Sequence, residues 1–165
     1  MKNETITTKE TLSRMRGRVT IRAYRAGTKE LVQEIVQDNL VMQGSSTGTD
    51  LIIQRLLGTN TYSLNINYGA IGSGSTAPAI SDTKLTTEVA RTTVAYSQRS
   101  SATAAMFQFF FPDSVLANGT YPEFGMFVDA TATANSGQIF NHALFTTSYT
   151  KVAGTDTTVE VDLSI

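Results

Sequence analysis

The chain predicts a mainly β protein: an antiparallel β-sandwich, jelly-roll-like, with one short helix and an N-terminal arm. Three observations carry this. Segments of two-residue apolar alternation recur, most clearly at the C-terminus, where Val159, Val161, Leu163 and Ile165 face one way and Thr158, Glu160, Asp162 and Ser164 the other. Turn signals separate them at Ala26-Gly27-Thr28, Ala117-Asn118-Gly119, Asn135-Ser136-Gly137 and Ala153-Gly154-Thr155. Charged residues make up only 16% of a chain rich in Thr, Ser, Gly, Ala and Asn, a composition suited to strands with polar outer faces. At 165 residues the chain suits a single domain, assigned to 17–165, behind an arm of residues 1–16.

The arm is polar, and its scattered apolar residues, Ile6, Leu12 and Met15, are candidate contacts to a partner. Val19, Ile21 and Ala23 alternate with Thr20, Arg22 and Tyr24 as a half-buried strand. Ala26 to Lys29 turns the chain into a partner strand, Leu31 to Val36, making a hairpin. A short apolar run, Leu40 to Met42, follows. Residues 49–57, TDLIIQRLL, form the best helix: Thr47 or Thr49 is positioned to cap it, Asp50 sits in its first turn and Gly58 stops it. Such a short helix persists only when packed on something. Thereafter the pattern is strand: Leu64 to Tyr68, Glu88 to Gln98, Ala105 to Phe111 ending at Pro112, Tyr121 to Asp129, Gln138 to Thr147, and Thr157 to Ile165. Phe107, Phe109 and Phe111 share one face and read as core, whereas Phe110 points away and is a candidate subunit contact.

A net charge of −1 offers no broad basic face for nucleic acid. The absence of cysteine excludes disulfides and thiolate metal sites. No apolar run approaches the roughly 20 residues of a membrane helix, so no membrane insertion is expected, and the N-terminus lacks the apolar core of a signal peptide. Residues 69–76, GAIGSGST, match the phosphate-loop pattern except that Ser75 stands where lysine belongs. No amphipathic helix follows, so the segment reads as a strand leaving the sheet at Tyr68 and entering a loop, with Gly72 and Gly74 supplying positive φ. His142 is the sole histidine and lies in a predicted strand, which makes it structural rather than catalytic. No G-x-S-x-G elbow, calcium-loop spacing or paired-carboxylate spacing is present, and neither an enzyme nor a cofactor is expected. Asn118-Gly119-Thr120 is read as a turn. Glu88 and Arg91, three apart, would face opposite sides of a regular strand.

Within residues 64–165, the strand ending in A-x-G-x-G-x-x-A-P, then D-T-x-L, E-x-x-R and E-F-G-x-F, resembles a module of tailed-bacteriophage structural proteins. The matching residues are Gly72, Gly74, Ala77, Pro78, Asp82, Thr83, Leu85, Glu88, Arg91, Glu123, Phe124, Gly125 and Phe127. The resemblance implies a non-enzymatic virion component, fibre, baseplate or head-decoration in kind, that self-associates. A trimer attached to neighbouring virion proteins, on the tail or fibre, is the leading expectation; a capsid-decorating protein and a host-surface-binding module are the alternatives. The resemblance also gives Glu88, Arg91 and Glu123 a structural task, holding the glycine loop through buried polar contacts. The first 63 residues lie outside it and are expected to carry the attachment.

Overall fold

The computed structural model describes residues 14–59 and 61–165. Ile6, Leu12 and most of the expected arm lie outside them. The elements run β1 (Arg16–Arg25), β2 (Leu31–Val41), α1 (Gly48–Leu57), β3 (Ile66–Gly72), β4 (Glu88–Ser101), β5 (Ala104–Phe111), β6 (Gly119–Val128), β7 (Gln138–Lys151) and β8 (Thr155–Ser164). The mainly β expectation and the single short helix both hold. β1 begins at Arg16, beside the expected boundary between arm and domain, and Leu40–Met42 is not a separate run because its first two residues finish β2.

In place of a two-sheet sandwich, all eight strands pair antiparallel into a closed barrel, β1-β2-β7-β6-β3-β4-β5-β8. The closure runs through two strands that change partners. β2 pairs with β1 along Gly17–Tyr24 and meets β7 at its last two residues, Leu40 and Val41. β4 pairs with β3 from Glu88 to Thr93 and with β5 from Val94 onward. A register shift at Val94/Tyr96 sits at the β4 change, as expected where an extra residue bends one strand and raises its twist. Such partner changes leave no local signature that alternation could reveal.

The interior is filled as the alternation predicted. Val19, Ile21, Phe109, Phe111, Val159 and Val161 are fully buried, with Phe124, Met126 and Tyr149 opposite them. Phe107 packs against this core, and Phe110 faces out, exposed. A second, smaller core lies on the outer face of the wall formed by β3, β6 and β7, where Met42, Ala70, Leu85, Phe127, Ala130 and Ile139 are covered by the loop that follows β3. β6 is therefore buried on both faces from Tyr121 to Val128.

The helix α1 carries Thr47 at its N-cap, but the Thr47 hydroxyl donates to the Gly44 carbonyl and makes no cap bond. Asp50 instead accepts from the Ser46 amide at 2.7 Å, and Gly58 ends the helix at φ 67 with its amide on the Arg55 and Gln54 carbonyls. Leu51 is its buried contact with the barrel.

Candidate functional site

Glu123 is the centre of the arrangement that holds the glycine loop. It sits on the outward face of β6, across from Gly72 of β3 and Leu144 of β7, and is fully buried. Its Oε1 accepts the Gly74 and Thr87 amides at 2.9 and 2.7 Å. Its Oε2 accepts the Thr86 amide at 2.9 Å and lies 2.9 Å from His142 Nε2. The four acceptor positions of a carboxylate are thereby used, by two ends of one loop and by the neighbouring strand. On its far side, His142 Nδ1 lies 3.0 Å from Asp82 Oδ2, which also accepts the Ala79 amide at 3.0 Å and closes the turn after Pro78. The loop tip is tied down where the Gln43 and Gly44 amides donate to the Ile80 carbonyl.

This geometry corrects the reason for two glycines. Neither Gly72 nor Gly74 has positive φ; among glycines that conformation occurs at 27, 48, 58, 137 and 154. A Cβ on Gly72 would fall 2.4 Å from Glu123 Oε1 and 2.5 Å from the Thr87 carbonyl, and one on Gly74 would fall 2.5 Å from Glu123 Oε1. The glycines are there because the carboxylate must approach the backbone closely. Gly72 also belongs to β3, so the loop begins only at Ser73.

Burial alone would push the Glu123 carboxyl up, but the hydrogen bonds from His142 and from the Thr87, Thr86 and Gly74 amides outweigh it and hold the group below the ordinary carboxylate range. A buried carboxylate with three amide donors behaves as an anchor for backbone.

Glu88 and Arg91 do a different job from the one expected. Their side chains bond each other and the β6–β7 connection rather than the tip of the glycine loop. Because Gly72 pairs with Glu88 and Ile71 with Ala90, Val89 is an extra residue, and the bulge turns Glu88 and Arg91 to the same side. The two form a forked ion pair at 2.6 and 2.8 Å with almost no exposure. Arg91 Nη1 also donates to the Thr131 carbonyl and the Ser136 hydroxyl, both at 2.8 Å, while Glu88 accepts the Asn135 amide at 3.0 Å. The guanidinium lies 5.0 Å from the Phe127 ring centre and 5.6 Å from that of Tyr68. The pair thus clamps the β6–β7 connection.

Two polar positions carried no sequence expectation of this kind. Lys151, buried on β7, donates to Asp113 and to the Val152 carbonyl, and Asp113 is held below the ordinary range first by that contact. The signal was present: two-residue alternation from the inward Tyr149 places Lys151 inside too. His142 was expected on a strand face as a structural residue, and is buried there, but its two carboxylate partners come from distant segments.

Of the contact candidates, Met15 is partly buried against the core and, with Ile52, Leu64, Phe107, Phe140 and Leu163, lines a 380 Å³ apolar cavity at one end of the barrel. Among the described residues no group of three or more His, Cys, Asp or Glu is placed to hold a metal ion, and no helix is long and apolar enough to cross a membrane. Comparison with known proteins finds no matching family model, curated protein or solved structure.

Proposed function

We propose that the protein is a non-enzymatic structural component of a bacteriophage virion, self-associating and attached to neighbouring virion proteins, with a tail or fibre location. One observation carries the reading. The residues by which residues 64–165 resemble phage structural proteins are spent on architecture: Gly72, Gly74, Asp82 and Glu123 fasten one loop, and Glu88 and Arg91 fasten another. A carboxylate whose acceptor positions are filled by amides and an imidazole supports a scaffold role rather than acid–base chemistry. What remains for function is surface, and strands with exposed apolar side chains suit contacts between copies.

Clustered exposed aromatics in segments 69–80 and 112–122 would favour the host-surface-binding alternative, but their one aromatic, Tyr121, is buried, as is Leu116, and the exposed large side chains there are the aliphatic Ile80 and Val115. Decoration of the capsid stays as the second placement. Electron microscopy of particles carrying the protein, with gold-labelled antibody, tests the proposal. Label at the tail is expected; label spread over the shell would favour decoration; particles without label would refute the virion reading.

A further inference from the structure

We propose that the open end of the barrel is a binding site for a medium-chain alkyl carboxylate, with the alkyl chain in the apolar cavity and the carboxylate on Arg99. The inference goes beyond the virion reading and does not depend on it.

The cavity exists because packing changes from one layer of the barrel to the next. A barrel of eight strands is just wide enough to be filled by side chains or to hold one small ligand. Its middle is filled by Phe109, Phe111, Phe124 and Tyr149. At the end built by the β4–β5 hairpin, residues 101–105 are Ser-Ala-Thr-Ala-Ala, too small to meet across the opening. A space of 380 Å³ remains, within the range of about 300–1,000 Å³ typical of small-molecule sites. Its lining grades from apolar to polar. Ile66, Phe140 and Leu163 are buried and form the inner wall, whereas Arg99, Ser101 and Thr103 are exposed and mark the mouth.

One wall residue is held in place against its backbone preference. Leu64 has φ 62, a conformation that a bulky side chain rarely adopts. Its neighbours fix it there. The Ser63 amide donates to Asp129 Oδ2 at 2.7 Å, the Asn65 amide to the Ser63 hydroxyl at 3.0 Å, and the Asp129 amide to the Asn65 carbonyl at 3.3 Å. Strain of this sort persists only where the surroundings over-determine it, and it concentrates at ligand sites.

Charge selects the ligand class. Arg99 registers with Ala105, which turns its side chain to the cavity side of β4. Its Nε donates to the Ser101 carbonyl at 2.9 Å, fixing one edge of the guanidinium at the mouth. Its two Nη groups have no acceptor among the described residues, and no Asp or Glu among them lines the cavity. Arg14 and Arg16, on either side of the wall residue Met15, add positive charge and have no ion-pair partner among the described residues. A guanidinium with free donors takes a carboxylate in a fork, and the apolar space beside it takes the chain. A neutral hydrocarbon would leave the cation unused, and a second copy presenting the same end would set arginine against arginine.

Isothermal titration calorimetry of the full chain with octanoate, decanoate and dodecanoate, and with octanol, tests the site. One-to-one binding of the carboxylates is expected, tightening about three- to fourfold per methylene until the cavity is full. Arg99→Gln, an exposed position, should weaken octanoate roughly tenfold and leave octanol unchanged. Ala105→Phe fills the cavity and should abolish both, while circular dichroism keeps the β spectrum. Octanoate binding that ignores Arg99→Gln would overturn the proposal. So would the absence of saturable binding by all three carboxylates below their micelle concentrations. Binding that appears only after residues 1–13 are deleted would overturn it in favour of the chain's own arm, and binding lost as copies associate would overturn it in favour of a second copy.

Discussion

Replacing Glu123 by glutamine tests whether this carboxylate holds the glycine loop. The change is nearly isosteric and removes one acceptor. The amide oxygen can still take the Gly74 and Thr87 donors, while the amide nitrogen then faces the Thr86 amide, donor against donor. His142 Nε2 keeps a bond only by presenting a lone pair. The loss is one buried backbone bond to a charged acceptor plus its unsatisfied partner, about 2–3 kcal/mol. For a chain of this size that lowers Tm by roughly 4–12 °C. Glu123→Ala orphans all three amides, yet its cost is capped by the free energy of simply releasing the loop. Urea unfolding followed by circular dichroism gives the stability, and amide hydrogen exchange gives its location: Gly74, Thr86 and Thr87 should lose protection first. The pH dependence supplies the sign. The folded carboxyl lies below its unfolded value of about 4.3, so its contribution is present above that pH and disappears as pH falls through the folded value. The gap between wild type and Glu123→Gln should therefore narrow in acid. A Tm change under about 1 °C, with unaltered protection of the three amides, would refute the anchoring role.

Arg91→Ala leaves Glu88 buried without its cation, and a loss of about 3–5 kcal/mol is expected by denaturant unfolding, with exchange rising at Asn135 and Ser136 rather than in the glycine loop. Increased exchange at Gly74 instead would place Arg91 where the sequence first suggested. Gly72→Ala drives a methyl into Glu123 and the Thr87 carbonyl and should cost about 1–3 kcal/mol, although its φ would allow alanine; an unchanged midpoint would contradict the close approach. Lys151→Ala opens a void on the barrel wall and removes the chief cause of the low Asp113 carboxyl, so a carboxyl titration followed by NMR should move Asp113 back towards the ordinary range.

Alternation and turn chemistry together determined much of this protein: alternation gave the strand segments and which of Phe107 to Phe111 face inward, and Gly58 gave the end of the one helix. Period and turn chemistry act over a few residues, and a single chain displays them directly. The motif residues around the glycine loop were also visible, but their partners were not. Glu88 and Arg91 appear opposed until Val89 bulges, and that bulge exists only because β3 pairs with β4 in this register. His142 meets Asp82 and Glu123 because β6 and β7 are neighbours and a loop folds back over both. Likewise, β2 and β4 close the barrel by changing partners, β2 at its last two residues and β4 after Thr93, which depends on how the whole sheet curves. Burial and side-chain facing are local consequences of covalent geometry; pairing between distant strands is a choice made by the assembled core, and only the tertiary structure decides it.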